Sequence, residues 1–151
     1  MRLDYLCDVE WSYREETAIG GAFVRLRPYG TDEGAGFGVL AGMVSGDRLR
    51  GSLTCVNHPR VRSDGVFCPD IHGVLQTDDG VPIVCTFRGC TVFGGPRGDA
   101  ILGVTFAAEA ERYRWVNPAF GLYEGVVNPH PGGRIYLCVN ERVGGGAGGV
   151  A

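Results

Sequence analysis

The sequence contains no lysine, and all 14 of its basic residues are arginines. The arginines occur singly or in close pairs rather than in a cluster, and 17 acidic residues bring the formal net charge to −3. The basic patch that would follow a phosphate backbone is therefore missing. We expect no nucleic-acid partner.

Long apolar runs are also missing. No segment approaches the roughly 18–20 apolar residues that a membrane-spanning helix needs. The first ten residues carry acids at Asp4, Asp8 and Glu10 instead of the apolar core of a signal peptide. The sequence thus predicts a cytoplasmic protein with no membrane partner.

Cysteine and histidine are present without metal-ligand spacing. The six cysteines form no Cys-x-x-Cys, and His58, His72 and His130 are too far apart to form a local ligand pair. A chain of 151 residues with 44% hydrophobic residues can bury a sizeable core without disulfides. We expect reduced thiols, no metal site and no cofactor.

Glycine and proline punctuate the chain, with 26 and 8 copies respectively. They leave hardly a window for a long helix, and only Ala107–Trp115 has helical propensity over two turns. The apolar stretches between these breaks are short and rich in β-branched and aromatic residues. They cover residues 22–26, 38–44, 50–56, 71–77, 81–87, 101–106, 120–127 and 135–139.

This spacing predicts an all-β protein: a single antiparallel sandwich or barrel of about eight to ten strands with at most one short helix. The domain is expected to span residues 1–143. The glycine-rich residues 144–151 are expected to form a disordered tail, whose deletion should leave stability within about 0.5 kcal/mol. Residues 29–36 are an exposed loop or a lid over a pocket.

The clearest hairpin surrounds Asp78-Asp79-Gly80. A three-residue loop gives one wholly apolar face, whereas a two-residue loop would mix polar and apolar residues on each face. We therefore predict the three-residue loop. The apolar face then pairs Ile71 with Phe87, Gly73 with Cys85, Leu75 with Ile83 and Thr77 with Val81.

Five short runs resemble one family when they are taken in order. They are residues 46–51 (GDRLRG), 63–66 (SDGV), 75–80 (LQTDDG), 88–89 (RG) and 113–117 (YRWVN). Over roughly residues 18–141 they are similar to the bacterial and fungal family catalogued as domain of unknown function 3237. That resemblance implies a lipocalin-like (calycin-type) barrel rather than a sandwich. Because some members sit beside natural-product biosynthetic enzymes, it also hints at a cyclase or isomerase.

The second face of the hairpin gathers ionisable groups. The predicted register sets Asp70 opposite Arg88, with His72 on the same face. An arginine beside a carboxylate lowers the pKa of the acid, and the pair could hold His72 in one tautomer for general acid–base catalysis. The alternative is a solvent-facing ion pair beside an exposed histidine. We favour the orientation in which this face borders the barrel interior.

Other candidates lie further along the chain. Glu124 falls in an apolar row with Phe120, Leu122 and Val126, where burial would raise its pKa and suit it to catalysis, although a position near a strand end would leave it idle. Tyr113, Trp115 and Asn117 would share one face of an extended segment. Together with Tyr123 and with His58, they are the predicted substrate-binding residues, and core packing is the alternative for the aromatic rings.

These features favour a cofactor-independent enzyme of natural-product biosynthesis, such as a cyclase or isomerase, that holds a mostly apolar small molecule in the barrel. The predicted catalytic residues are His72, Asp70, Glu124 and Arg88. A non-catalytic binding or carrier barrel is the main alternative. A structural subunit with a filled barrel is the third, and a homodimer is left open.

Overall fold

The computed structural model describes residues 1–15 and 22–144. Within these two ranges lie eleven β-strands, a complete 3₁₀ helix and a final helical turn, α1. The strands are β1 (Arg2–Tyr13), β2 (Phe23–Leu26), β3 (Gly34–Ser45), β4 (Gly51–Asn57), β5 (Arg60–Val61), β6 (Phe67–Cys68), β7 (Asp70–Thr77), β8 (Pro82–Gly94), β9 (Arg97–Ala108), β10 (Phe120–Val126) and β11 (Gly132–Val139). The 3₁₀ helix is Glu111–Val116, and α1 is Glu141–Gly144.

Eight strands close into a barrel. Antiparallel pairs run β1–β3–β4–β7–β8–β9–β10–β11, and β11 pairs back to β1. Each of these strands lies beside its neighbour in the chain once the short β2, β5 and β6 are set aside, so the barrel is an up-and-down meander. The predicted all-β antiparallel barrel is confirmed.

The three short strands extend one end of the barrel. β2 pairs with β3 in line with β1, and the β4–β7 connection contains β5 and β6, which bridge β3 to β8. The sequence patterns missed β5 and β6, because a two-residue strand has no periodicity. They also missed β1, although Cys7, Val9, Trp11 and Tyr13 alternate along it toward the interior.

The hairpin register is confirmed at every predicted pair. Asp70 pairs with Arg88 and Ile71 with Phe87, and the Thr77 N–H donates to the Val81 carbonyl at 2.9 Å. Gly80 has φ +86°, the left-handed conformation that the loop requires of its last residue. Ile71, Leu75, Ile83 and Phe87 are all buried, so the apolar face lines the interior.

The end of the barrel opposite β2 is packed and covered. Leu49, Leu53, Leu75 and Ile83 fill it, and the 3₁₀ helix covers it with Val116 fully buried. Strand β9 continues to Ala108 and the helix begins only at Glu111, so the predicted helix at Ala107–Trp115 is displaced. Ala107 and Ala108 are strand residues despite their helical propensity, because both pair with β8.

One expectation falls almost entirely outside the described residues. The predicted tail, residues 144–151, lies outside the described residues except for Gly144, which ends α1. The predicted loop, residues 29–36, is fully described: residues 29–32 form a turn and bends, and β3 begins at Gly34, so the last three residues belong to a strand.

Candidate functional site

A cavity of about 440 Å³ opens at the end of the barrel that carries β2, β5 and β6. Its volume lies within the ~300–1,000 Å³ range of small-molecule sites. Most of its wall is apolar, and six aromatic rings contribute to it. These are Trp11, Tyr13, Phe23, Phe67, Phe93 and Tyr123.

A pair of hydrogen-bonded polar groups stands in this apolar wall. The Asn57 side-chain N–H donates to the Tyr13 hydroxyl oxygen at 2.7 Å. The side-chain oxygen of the same amide, Asn57 Oδ1, accepts the Asp70 backbone N–H at 3.2 Å. The second bond fixes which end of the amide faces Tyr13. Since the Tyr13 oxygen accepts from Asn57, its own proton is available to a molecule in the cavity.

The Tyr13 hydroxyl keeps that proton at neutral pH. Burial raises the pKa of Tyr13, and the hydrogen bond from Asn57 lowers it by a smaller amount. Tyr13 is therefore a neutral hydrogen-bond donor that can stabilise negative charge developing on a substrate oxygen.

Tyr123 is the predicted substrate-binding residue that reaches the cavity wall. Its ring is almost fully buried and packs against Trp11 and Phe87 at centroid distances of 5.3 and 6.2 Å. Burial raises the pKa of Tyr123 to about 12, and a hydrogen bond with Trp11 offsets part of that rise.

Asp70, His72 and Arg88 do come together, but on the outer surface. The His72 Nε2 and Arg88 Nε each lie 2.8 Å from Asp70 Oδ1. The side chains of His72, Asp70 and Arg88 are 49%, 43% and 63% exposed, and none of them lines the cavity. The hydrogen bond from Arg88, followed by that from His72, lowers the pKa of Asp70.

The expectation that this polar face borders the interior is therefore wrong. The other hairpin face supplies Ile71, Leu75, Ile83 and Phe87 to the core. Putting the charged face inside would expose those side chains and remove three ionisable groups from water.

Glu124 also lies outside. It is exposed on β10, opposite Arg134 on β11, and accepts a hydrogen bond from the Tyr136 hydroxyl at 3.1 Å. The prediction of a buried glutamate is wrong because Gly121, Tyr123 and Gly125 form the inward row of β10, which leaves Glu124 with the outward row.

Tyr113, Trp115 and Asn117 belong to the opposite end of the barrel, because their segment is a 3₁₀ helix and its C-cap rather than extended chain. The Tyr113 hydroxyl donates to Asp79 at 2.7 Å, and Trp115 stacks against Arg48 at 3.9 Å. The Asn117 side chain bonds the backbone N–H and carbonyl of Ala108 at 2.7 and 2.9 Å. None of the three lines the cavity, and their contacts are structural.

His58 is exposed on the chain that leaves β4, and its ring contacts Phe37 at 5.1 Å. Its side chain does not line the cavity, although its neighbours Asn57 and Pro59 do. The polar residue that matters in this segment is thus Asn57.

Sequence reasoning missed Tyr13, Asn57 and Arg25 as cavity residues. A signal existed for Asn57, since it continues the inward row Gly51, Leu53 and Cys55. Arg25 shares a face with Phe23 on a four-residue strand, which is too short for a sequence pattern to indicate which face is buried.

Metal-ligating groups do not gather in the part of the chain that the structure describes: there, no cluster of three or more histidines, cysteines, aspartates or glutamates could hold an ion. Within the same residues, no helix is long and apolar enough to cross a bilayer.

No protein-family model and no curated protein matches the chain significantly. Several solved structures share its fold. A β-barrel-like protein from Acinetobacter baumannii superposes with a TM-score of 0.76 at 16% identity, covering 90% of this chain and 94% of that one. A protein of unknown function from Clostridium acetobutylicum gives 0.78 at 14% identity, covering 92% and 100%.

A third similar structure is that of an enzyme from Penicillium herquei. It gives a TM-score of 0.70 at 18% identity and covers 90% of this chain and 92% of that one. At these identities the likeness shows the fold alone. This chain is an antiparallel β-barrel of a kind that includes at least one enzyme.

Proposed function

We propose that this protein is an enzyme that binds a mostly apolar small molecule in the open end of the barrel and converts it by ring closure or isomerisation. The observation that carries the proposal is the Tyr13–Asn57 pair, a proton donor of fixed direction in the apolar wall of a 440 Å³ cavity. The barrel likeness to an enzyme from Penicillium herquei supports it. We also propose membership in the family of domain of unknown function 3237, for which such a barrel is expected.

Ring closure and isomerisation require few catalytic groups from the protein. Ring closure and isomerisation keep every atom of the substrate and redistribute its protons. A rigid aromatic cavity holds the substrate in a reactive conformation, and the Tyr13 hydroxyl stabilises charge on one of its oxygens.

A specific observation favours the second candidate, a binding or carrier barrel. Among the described residues, the cavity wall carries no carboxylate, histidine or cysteine, so it lacks the usual general bases. The cavity itself argues against the third candidate, a structural subunit with a filled barrel.

The test is conversion without change of mass. A metabolite extract from a strain lacking the gene is incubated with the protein and analysed by chromatography and mass spectrometry. We expect a peak to be replaced by an isomer of equal mass and different retention time. Tyr13→Phe should slow that conversion by about tenfold or more, whereas His72→Ala should not.

Conversion that survives Tyr13→Phe and fails in His72→Ala would overturn this assignment of the site. A compound that co-purifies with the protein and is never converted would favour the carrier.

A further inference from the structure

We infer that the ligand of the barrel carries an acidic oxygen group, such as a carboxylate or an ionised phenol or enol, which pairs with Arg25 at the mouth of the cavity. The inference rests on the proposed function and deepens it by naming the substrate class. Its starting point is the state of the Arg25 guanidinium.

Arg25 lines the cavity from strand β2. Its Nε is buried and has no hydrogen-bond partner among the described residues. One terminal nitrogen donates to the backbone carbonyl of Asp32 at 3.3 Å. The guanidinium carbon lies 5.1 Å from the centroid of the Phe67 ring. The group is thus held in place with part of its donor set unused.

The arginines of the eight barrel strands differ from Arg25, which lies on the short strand β2. Arg2, Arg88, Arg97 and Arg134 each pair with an aspartate on the outer surface. No carboxylate among the described residues pairs with Arg25, and none lines the cavity. An uncompensated cation against an apolar wall is costly, and an anionic ligand offsets that cost.

The chemistry of the guanidinium narrows the ligand further. It is planar and always charged, and it presents paired N–H donors that match two oxygens of a carboxylate or similar anion. Phe67 below the guanidinium and Phe93, which lies 5.0 Å from Phe67, add flat apolar contacts beside it. A flat, largely apolar body with one acidic oxygen group fits this end of the cavity.

The strand register relates Arg25 to the Tyr13–Asn57 pair. Arg25 lies opposite Gly36 on β3, whereas Asn57 lies opposite Gly38, two residues deeper along the same strand. A ligand would therefore place its acidic group at Arg25 and a second oxygen further in, at Tyr13. A Cβ at Gly36 would collide with the Phe23 ring and one at Gly38 with the Tyr13 ring, so both glycines leave room for aromatic rings that line the cavity.

The experiment uses two fluorescent probes that share one skeleton. 1-Anilinonaphthalene-8-sulfonate carries an anionic group, and N-phenyl-1-naphthylamine lacks it. We expect the protein to bind the sulfonate about tenfold more tightly than the neutral probe, the equivalent of about 1.4 kcal/mol. Arg25→Gln should abolish that preference and leave the neutral probe unchanged.

Arg97→Gln is the matched control, because Arg97 is close to the same end of the barrel but pairs with Asp99 outside it. Binding is read by energy transfer in a Trp115→Phe background, where Trp11 on the cavity wall is the single tryptophan. Arg25→Lys, which keeps the charge, should restore part of the preference.

Retained binding of the neutral probe shows that Arg25→Gln is folded. If the neutral probe binds the unsubstituted protein but the sulfonate has no advantage, or if Arg97→Gln removes the advantage equally, the inference is overturned while the proposed function stands. If neither probe binds, the proposed function fails and the inference fails with it.

Discussion

The amide of Asn57 satisfies two partners at once, and this determines the direction of the Tyr13 hydroxyl. Its oxygen accepts a backbone N–H from β7, and its nitrogen donates to a side chain of β1, so one residue joins three strands at the cavity end. Polar groups buried this way are costly to leave half-satisfied. The same two bonds therefore serve stability and the proposed chemistry.

Tyr13→Phe should lower the free energy of unfolding by about 1 kcal/mol, because it leaves an Asn57 N–H without its acceptor. Urea unfolding at pH 7 measures this. Tyr136→Phe is the control, since its hydroxyl bonds exposed Glu124 and its loss should cost less than about 0.5 kcal/mol. Equal losses in the two variants would show that the Tyr13–Asn57 bond adds nothing special.

His72→Ala should leave the free energy of unfolding within about 0.5 kcal/mol and the affinity for N-phenyl-1-naphthylamine unchanged. His72 is half exposed, and its side-chain hydrogen bonds to other described residues are with Asp70 and Arg88, which stay paired with each other. A fluorescence titration and a urea melt decide the matter. Weakened probe binding in this variant would show that His72 contributes to the ligand-binding site.

The residues that line the cavity could not all be predicted from the type of each residue. Tyr123 was predicted to bind substrate together with Tyr113 and Trp115, and it does line the cavity. The prediction for Tyr113 and Trp115 assumed an extended segment, but this segment is a 3₁₀ helix at the opposite end of the barrel. An aromatic ring with a polar tip suits a pocket wall and a structural anchor equally well.

At the scale of elements, the residues of the turns and the alternation of polar and apolar residues predicted most of the strands. The β7–β8 register followed from the one requirement that charged and apolar side chains occupy different faces, and it holds at every pair. β1 was missed because acidic residues on its outward face, such as Asp8 and Glu10, interrupt the apolar run that marks the other strands. The 3₁₀ helix was misplaced because tertiary pairing with β8 overrides the helical propensity of Ala107 and Ala108.

Gly80→Ala should destabilise the protein by about 1–2 kcal/mol, the cost of a left-handed conformation for a residue with a Cβ. A Cβ there meets nothing within 4 Å, so the cost is conformational only. Gly94→Ala is the control, because its Cβ also meets nothing and its φ is not positive. Equal changes in thermal midpoint for both variants would contradict this assignment.

Asp79 anchors the 3₁₀ helix to the β7–β8 turn. It accepts hydrogen bonds from Thr77, Tyr113 and Arg112 at 2.6–2.7 Å, and these bonds, led by that from Thr77, lower its pKa well below the usual range. A carboxyl whose folded pKa is depressed stabilises the fold above its unfolded pKa of about 4. That contribution is lost as the pH falls through the folded pKa.

Asp79→Asn should therefore destabilise the protein at pH 7, and the difference from the unsubstituted protein should shrink as the pH falls below about 4. Urea unfolding of both proteins from pH 7 to pH 3 gives the two curves. Hydrogen exchange in residues 111–116 should also be faster in the variant. A difference that stays constant with pH would rule out the anchoring charge.

At the scale of the whole molecule, the two ends of the barrel do different work. One end is filled by core side chains and covered by the 3₁₀ helix, and the other keeps its interior open. Burying an aliphatic or aromatic side chain is worth about 1.5–3 kcal/mol, so the four large apolar side chains of the hairpin outweigh a preference for an inward polar face. This comparison of magnitudes could have decided the orientation from the sequence.

The reactivity of three buried cysteines can show whether the barrel unfolds as a unit. Cys7, Cys55 and Cys85 lie on β1, β4 and β8, are almost fully buried, and belong to one core. Burial raises the pKa of each thiol to about 12. Since the thiolate is the reactive form, these thiols are inert while the barrel stays closed.

Labelling with Ellman's reagent at pH 8 should therefore modify exposed Cys90 rapidly and half-buried Cys68 and Cys138 more slowly. Cys7, Cys55 and Cys85 should stay protected and then react together, because each becomes accessible only when the ring of eight strands opens. Their shared rate should rise with urea in step with global unfolding measured by tryptophan fluorescence. All six cysteines are free, so added reductant should not move the thermal midpoint. Modification of Cys7 well before Cys55 and Cys85 would instead mean that β1 detaches alone, as a separate unit of the barrel.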